Sequence, residues 1–293
     1  MIQELRRKVS LVHLLNCFKF PRHLIRVLKK TPVIDHIYQT PKALSLRLPL
    51  DAIVASSKRI ALTLRSLHVA PPPIFVIPPP VDTDFFRPIT HTDQAGKTAL
   101  YIGNLSLDRL PNRFFNIIKE ILRSYPSVSF RLIAPVNRMN AARIGEINTI
   151  CQSLQINDKV HVSLRNMSDK EKLKEYLLAK LFVFPPLREQ RQAIEPPLTV
   201  LEALSSGIPV LATNTYSVAE ALNSEKNGFL VNVDDYSRLT ERALEILRAD
   251  QNRRLSWSKE ARRTAVEKFS IYLASRRYQA MHSTILEASR TSS

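Results

Sequence analysis

From Ile194 to Val231 the chain reads IEPPLTVLEALSSGIPVLATNTYSVAEALNSEKNGFLV, and this segment is the most informative about the fold. Glu195 stands just before a predicted helix, Leu198–Ser205, and a second glutamate, Glu202, lies inside that helix. A run of small residues then leads into the pattern of a buried parallel strand, Pro209–Ala212. This order predicts an α/β unit, and open α/β sheets bind phosphorylated ligands beside the N-termini of such helices.

The same alternation continues on both sides of this segment. Short apolar runs alternate with amphipathic stretches of helical length between residues 98 and 231. The predicted strands are Ala99–Gly103, Val128–Ala134, Lys159–Leu164, Leu181–Phe184 and Gly228–Val231, and the further helices are Asn112–Tyr125, Asn140–Leu154, Asp169–Ala179 and Val218–Asn223. Strands and helices of this length indicate parallel βαβ units with right-handed crossovers, and therefore a doubly wound, Rossmann-like sheet.

The chain divides into four parts by pattern. Residues 1–85 form a smaller α/β part, because strand patterns at Val33–Tyr38, Asp51–Ser57 and Ile74–Ile77 accompany a helical pattern at Lys58–Leu67. Residues 86–97 are turn-rich and aperiodic, which is typical of a linker. We expect the Rossmann-like domain over residues 98–250 and C-terminal helices over residues 251–293.

The net charge of the chain, +17, favours anionic partners such as nucleotide phosphates or acidic lipid headgroups. Residues 1–30 contain eight basic side chains and one acidic one, with apolar residues at near-helical spacing. This pattern predicts basic amphipathic helices, which either lie on an anionic membrane surface or are ordinary helices with a solvated basic face. No recognised nucleic-acid-binding module and no interleaving of basic and aromatic residues is found, which argues against a nucleic-acid partner.

Targeting and metal-binding patterns are not found in the sequence. No apolar run reaches the roughly 18 residues needed to span a bilayer, and the basic start lacks a signal-peptide cleavage pattern. Cys17 and Cys151 lie far apart without metal-ligand spacing, which is typical of free thiols in a reducing compartment. We therefore expect a cytoplasmic protein without a metal site, attached peripherally to the inner face of the membrane if the basic segment binds lipid.

Several motifs, in order along the chain, resemble those of the retaining glycosyltransferases of the GT-B fold, the glycosyltransferase-4-like group. They are Asp51–Ser56, Ile74–Pro88, the strand and turn Tyr101–Gly103, and the segment around the two glutamates. The resemblance extends from about Asp51 to Phe269 and implies a GT-B protein with a complete C-terminal domain. Members of the family have an N-terminal domain near the size of the C-terminal one, so residues 1–85 correspond to a shortened domain, a truncated product or a chain whose start lies upstream.

The resemblance implies a diphosphate site around the turn at Gly103. The family places an arginine directly after this glycine and a lysine five positions further on, and both bind the donor diphosphate. Asn104 stands at the arginine position and Arg109 at the lysine position, where it keeps the positive charge; the alternative for Arg109 is a solvated loop arginine. Leu198 and Thr199 would supply backbone N–H groups to phosphate.

Two glutamates form the second signature of the family. The resemblance implies that Glu202 binds the ribose hydroxyls and that Glu195 lies beside the sugar and the reacting centre, as the catalytic carboxylate. The family has seven residues between these glutamates and this chain has six, so the assignment of Glu195 supposes a one-residue deletion in the loop. The alternative is that Glu195 caps the helix that Pro196 and Pro197 open.

The resemblance therefore implies a retaining glycosyltransferase that moves a sugar from a nucleoside-diphosphate sugar to an acceptor hydroxyl, in a glycan or a lipid-linked molecule. No separate cofactor is implied, because the nucleotide sugar is the substrate. A second hypothesis is a degenerate homologue that binds a nucleotide or a partner without catalysis. The short N-terminal part, Asn104 and the shifted Glu195 motivate this hypothesis.

Overall fold

The structure is a computed structural model that describes residues 10–15, 31–39, 50–67, 71–88, 97–187, 195–215, 217–223 and 225–291. These residues form ten strands and nine helices. The strands are β1 (Val12–Leu15), β2 (Val33–Ile37), β3 (Ala52–Ala55), β4 (Ile74–Val76), β5 (Thr98–Ile102), β6 (Ser129–Ala134), β7 (Val160–Leu164), β8 (Ala179–Phe184), β9 (Val210–Thr213) and β10 (Gly228–Val231). The helices are α1 (Lys58–Ser66), α2 (Asn112–Ser124), α3 (Arg138–Ser153), α4 (Asp169–Leu178), α5 (Leu198–Ser205), α6 (Val218–Ala221), α7 (Tyr236–Arg248), α8 (Gln251–Phe269) and α9 (Ile271–Thr291).

The chain divides into two compact units. The first unit comprises Met1–Pro80, Arg191–Pro196 and Ile271–Ser293, and the second comprises Val81–Gln190 and Pro197–Ser270. The C-terminal helices expected over residues 251–293 do not form a unit of their own, because α8 belongs to the second unit and α9 to the first.

The first unit has a four-stranded parallel sheet in the order β1-β2-β3-β4. Side chains of β3 alternate between its two faces, so Ala52 and Val54 pack with α9 while Ile53 and Ala55 pack with α1. All four residues of β3 are buried, as expected for an inner parallel strand covered on both faces. The predicted strands and helix of residues 33–77 are therefore confirmed.

The prediction of a helix at Val12–Leu15 is wrong. These residues form β1, which pairs in parallel with β2 from Val12 opposite Val33. Only Leu14 of the four is buried, while His13 and Leu15 on either side of it are exposed, so the burial has the two-residue period of a strand. Sheet pairing overrides a helical spacing that few residues support. The rest of the predicted basic helices, residues 1–9 and 16–30, lies outside the described residues, as do residues 89–96 of the linker.

The second unit contains a six-stranded parallel sheet in the order β10-β9-β8-β5-β6-β7. One face carries the main apolar core, to which α2 and α7 contribute Phe114, Phe115, Ile118, Ala243 and Ile246. On β8 the core side chains are Leu181 and Val183, so Phe182 and Phe184 project from the opposite face. The expected doubly wound parallel sheet is confirmed.

Gly207 ends α5 and redirects the chain towards β9. Its φ of 75° lies in the left-handed region that glycine adopts without steric cost. Its N–H donates to the Leu204 carbonyl at 3.0 Å and the Ile208 N–H donates to the Ala203 carbonyl at 2.9 Å, which is the Schellman pattern. A β-carbon at Gly207 would lie 2.5 Å from Ser258 Oγ, so packing also requires glycine here.

Within the described part of the chain, no helix has both the length and the apolar character needed to cross a membrane.

Candidate functional site

The order of strands places a topological switch point between β5 and β8. From β5 the chain proceeds to β6 and β7 on one side, and it then returns to build β8, β9 and β10 on the other. The connections after β5 and β8 therefore leave the sheet in opposite directions. Ligands of open α/β sheets bind in the crevice that this divergence creates at the carboxyl ends of the strands.

Two contacts join the loops at this switch point. The Leu187 N–H, after β8, donates to the Asp108 carbonyl in the loop after β5 at 3.0 Å. The Arg109 guanidinium lies 5.4 Å from the centre of the Phe184 ring, at the last residue of β8. The Arg109 N–H donates to the Ser106 carbonyl at 2.9 Å, which closes a tight turn. A cation is therefore held at the mouth of the crevice.

The turn at Gly103 is held by Tyr101, which is fully buried. The Gly103 N–H donates to the Ile133 carbonyl of β6 at 3.0 Å, and the Tyr101 hydroxyl donates to the Asn104 carbonyl at 2.5 Å. A β-carbon at Gly103 would approach the Tyr101 hydroxyl to 2.9 Å. A larger residue at Gly103 would therefore displace the side chain that fixes the next peptide.

The side chain of Asn104 is bound within the protein. Its Oδ1 accepts from Asn140 Nδ2 at 3.2 Å and from Asn137 Nδ2 at 3.5 Å. Asn140 is fully buried and also accepts from the Leu105 N–H at 2.8 Å and donates to the Pro135 carbonyl at 2.8 Å. One amide thus joins the loops after β5 and β6. The cap position of Asn137 before a helical pattern was a readable signal, but nothing in the sequence indicated the role of Asn140.

Glu202 lies on α5, is almost fully buried, and has a partner on each oxygen. Lys172 Nζ donates to Oε1 at 2.6 Å, and the Tyr176 hydroxyl donates to Oε2 at 2.8 Å. Lys172 also lies 2.8 Å from Asp169 Oδ1. Burial opposes the charge of Lys172, but hydrogen bonds to Asp169 and Glu202 outweigh it and raise the pKa of Lys172. Burial, reinforced by the charge of Glu202, raises the pKa of Tyr176 well above its ordinary value.

Arg109 and Glu202 lie on the same side of the sheet. Arg109 contacts Phe184, and Tyr176, the partner of Glu202, contacts Phe182 with ring centres 5.8 Å apart. Because Phe182 and Phe184 are two residues apart on β8, their side chains project from one face. Sequence patterns do not indicate Lys172 or Tyr176, since no pattern connects α4 with a glutamate that lies 26 or more residues further on.

The N-terminus of α5 presents backbone donors. Pro197 is the N-cap residue and offers no side-chain hydrogen bond, and neither Pro196 nor Pro197 has an N–H. The first donors are therefore the N–H groups of Leu198 and Thr199, which have no acceptor within the helix. Leu198 is partly exposed, at 37% of its surface, so this helix start is accessible to solvent.

The C-terminal half of α5 is fixed by Arg262 of α8. Arg262 Nη1 donates to the carbonyls of Thr83 at 2.6 Å, Phe86 at 2.9 Å and Ser205 at 3.2 Å. Ser205 Oγ donates to the same Phe86 carbonyl at 2.5 Å. These bonds tie the start of the second unit to the helix that carries Glu202.

Glu195 belongs to the first unit and is fully buried. Arg59, at the start of α1, binds both carboxylate oxygens, with Nη2 2.5 Å from Oε1 and Nε 3.1 Å from Oε2. The Glu195 N–H donates to the Tyr38 carbonyl, just beyond β2, at 3.1 Å. Two parallel hydrogen bonds from one guanidinium are the strongest form of this ion pair. The sequence did not single out Arg59.

Three histidines form a chain of contacts in the first unit. His36 Nε2 lies 2.5 Å from His13 Nδ1, and His13 Nε2 lies 3.0 Å from His282 Nε2. The hydroxyls of Tyr278 and Tyr38 lie 3.3 and 3.4 Å from the other ring nitrogen of His36. Burial, together with the neighbouring His13 and His282, lowers the pKa of His36 to about 4. Among the described residues, no group of three or more His, Cys, Asp or Glu side chains is arranged to hold a metal ion.

Residues 82–264 match the family described as Glycosyl transferases group 1. No match was found among curated proteins.

Solved structures match the chain over most of its length. Sucrose-phosphate synthase from Thermosynechococcus elongatus has a TM-score of 0.75 and 16% identity, over 98% of this chain and 76% of that chain. Anabaena Alr3699/HepE in complex with UDP has a TM-score of 0.76 and 14% identity, over 97% and 80%. The C-terminal domain of the LpcC glycosyl transferase group 1 protein from Francisella tularensis has a TM-score of 0.56 and 20% identity, over 65% of this chain and 99% of that domain.

These similarities show a shared fold, and the family match spans well over half of the residues. The resemblance that the sequence motifs indicated is thereby confirmed at the level of the family. The chain belongs to the glycosyl transferases group 1 family and is a glycosyltransferase of the GT-B fold.

Proposed function

We propose that this protein transfers a sugar from a nucleoside-diphosphate sugar to an acceptor hydroxyl and retains the configuration of the anomeric carbon. The observation that carries the proposal is the position of Arg109 at the switch point, on the same side of the sheet as Glu202. A cation and a carboxylate at one crevice match the two chemically distinct ends of a ribose diphosphate.

The diphosphate is the leaving group, and it gains negative charge as the bond to the sugar breaks. Arg109 supplies a fixed positive charge with a planar fork of donors, suited to phosphate oxygens. The N–H groups of Leu198 and Thr199 add the positive end of a helix dipole. Donors fixed before the reaction need no reorganisation as charge develops, so they stabilise the transition state more than the ground state. We also assign the backbone of the turn at Gly103 and Asn104 to the diphosphate.

Glu202 is the group that we assign to the ribose. A carboxylate oxygen has two lone pairs, and in Glu202 each oxygen uses one for Lys172 or Tyr176. One acceptor position per oxygen remains for the two neighbouring hydroxyls of ribose.

Glu195 is the carboxylate that we assign to the transferred sugar. The ion pair with Arg59 fixes the orientation of its carboxylate. Negative charge beside the sugar stabilises the positive charge that develops at the anomeric carbon when the diphosphate leaves. Retention requires the acceptor hydroxyl to attack from the face that the diphosphate leaves.

The acceptor is a glycan or a lipid-linked molecule in this proposal. The charge of +17 favours attachment of the protein to an anionic, cytoplasmic membrane surface, where lipid-linked acceptors are found. Flotation with vesicles that contain anionic lipid, of the unaltered chain and of a variant in which the eight basic residues of 1–30 are replaced by glutamine, tests this attachment and leaves the residues of β1 in place. Equal flotation of both proteins would contradict it.

The experiment that tests the reaction is incubation of the full chain with UDP-, GDP- and ADP-sugars, each with sugar and lipid-linked acceptors. UDP-sugars come first, because UDP is bound in the structure of HepE. We expect release of the nucleoside diphosphate and a product whose anomeric configuration, measured by NMR, equals that of the donor. An inverted product would contradict retention, and tight nucleotide binding without transfer to any acceptor would contradict the proposed activity.

A further inference from the structure

We propose that Tyr176 and Lys172 are positioning residues that orient the Glu202 carboxylate towards both hydroxyls of ribose and so set a preference for ribonucleotide over 2′-deoxyribonucleotide donors. The inference rests on the proposed function, because it deepens the role of Glu202 at the same site.

The carboxylate of Glu202 has a different hydrogen-bond donor on each of its two oxygens. Tyr176 donates to one oxygen of Glu202 and Lys172 donates to the other. A glutamate side chain with a bond at each oxygen cannot rotate about its last torsion without breaking at least one of them. The plane of the carboxylate is therefore fixed before ribose arrives, which avoids the entropic cost of ordering it on binding.

The side chain of Tyr176 is held rigidly by its packing. Its ring is fully buried and has edge-to-face contacts with Phe182 and Phe86, at 5.8 and 6.1 Å between ring centres. The hydroxyl has one proton and two nearby acceptors, Glu202 Oε2 at 2.8 Å and the Thr199 carbonyl at 3.3 Å. The shorter contact and the charge of the carboxylate assign the proton to Glu202.

The charged ammonium of Lys172 is held by several contacts. Its ammonium is bound by Asp169 as well as by Glu202, and it lies 5.3 Å from the centre of the Phe86 ring. Lys172 and Tyr176 are four residues apart and therefore share one face of α4. The raised pKa of Lys172 keeps it charged in the neutral range, so it remains a donor to Glu202.

A purely structural role for the pair has a different consequence. If Lys172 and Tyr176 only tied α4 to α5, their removal would lower the stability of the protein and would affect every nucleotide alike. If they orient Glu202, their removal weakens the binding of ribonucleotides more than the binding of 2′-deoxyribonucleotides, because the latter keep only one of the two hydroxyls from which the carboxylate accepts.

The experiment compares dissociation constants by calorimetry for a nucleoside diphosphate and its 2′-deoxy form, using whichever of UDP, GDP and ADP binds the full chain most tightly. We expect the unaltered protein to prefer the ribonucleotide by about tenfold, which corresponds to one lost hydrogen bond to a charged group. Tyr176→Phe and Lys172→Met should each reduce this ratio several-fold, because ribonucleotide binding weakens more than deoxyribonucleotide binding. Lys172→Arg should restore part of the ratio.

Matched controls are Lys174→Met, an exposed lysine of the same helix, and Tyr272→Phe, a tyrosine with 72% of its surface exposed. Both should leave the ratio unchanged. If circular dichroism shows that Tyr176→Phe fails to fold, the variants Lys172→Met and Lys172→Arg, at a half-buried residue, provide the test.

Glu202→Gln distinguishes the assignment of Glu202 to ribose from the positioning role of Lys172 and Tyr176. If this variant keeps the full preference for ribose, Glu202 does not bind ribose and the proposed site is wrong. If Glu202→Gln abolishes the preference but Tyr176→Phe and Lys172→Met both retain it, the positioning role is overturned and the ribose assignment stands.

Discussion

The guanidinium of Arg109 lies over the ring of Phe184, 5.4 Å from its centre, so a residue of the loop after β5 rests on the last residue of β8. A cation on an aromatic face contributes about 0.5–2 kcal/mol, depending on how far it is desolvated. This contact limits the positions that the charged group occupies.

Arg109→Met should weaken the binding of a nucleoside diphosphate about 10- to 100-fold, because a charge-assisted hydrogen bond contributes about 1.5–3 kcal/mol. Arg109→Lys should give an intermediate loss, since it keeps the charge and loses the planar fork. Calorimetry measures both. The matched control is Arg113→Met, which also removes a positive charge and an arginine–aromatic contact, with Tyr236 at 5.9 Å. Equal losses in Arg109→Met and Arg113→Met would argue against a phosphate contact.

Glu195→Gln should lower kcat about 100-fold or more and leave the dissociation constant of the nucleoside diphosphate unchanged, because the carboxylate is assigned to the sugar and not to the nucleotide. Steady-state kinetics and calorimetry separate the two effects. Glu287→Gln, an exposed glutamate of the same unit, is the control. Normal turnover by Glu195→Gln would leave Glu195 with a structural role alone, as the partner of Arg59.

Asn140→Ala should reduce the free energy of unfolding by about 3 kcal/mol. The variant leaves the Leu105 N–H and the Pro135 carbonyl without their partner in a buried place, and each unsatisfied group costs about 1–3 kcal/mol. Urea denaturation measures the change. Asn116→Ala, on the exposed side of α2, should change the value by less than about 0.5 kcal/mol. A loss as small for Asn140→Ala would refute the central role of this amide.

The stability of the protein should fall as the pH decreases from about 6.5 to 4. His36 has a pKa of about 4 in the folded protein, below its ordinary 6.5, so over this range the unfolded chain binds more protons. The contribution is complete above pH 6.5 and is lost progressively as the pH falls towards 4, by at most about 3 kcal/mol. Urea denaturation at several pH values should give a flatter profile for His36→Gln. His161→Gln, at an exposed histidine, should retain the original slope.

The sequence predicts the second unit well, because inner strands such as β8 and β9 are mostly apolar and the helices α2 and α7 have a clear apolar face. The first unit is less predictable where an edge strand is short. Residues 12–15 satisfy a helical spacing as part of residues 5–15, yet pairing with β2 determines their conformation. No pattern within these residues indicates that a neighbouring strand is available for pairing.

The candidate site divides in the same way. Arg109 and Glu202 were identifiable because each belongs to a motif that is contiguous in sequence. Their partners were not, because Lys172 and Tyr176 reach Glu202 only through the packing of α4 beside α5. The same applies to Arg59, which lies 136 residues before Glu195.

The paired prolines before α5 suggest a route to engineering the protein. Neither proline has an amide hydrogen, so the backbone in front of the helix offers fewer hydrogen-bond donors than a glycine-rich loop would. Pro197→Gly would add one such hydrogen, at the cost of a more flexible backbone in the unfolded chain. We expect this variant to bind anions more tightly and to have a lower melting temperature.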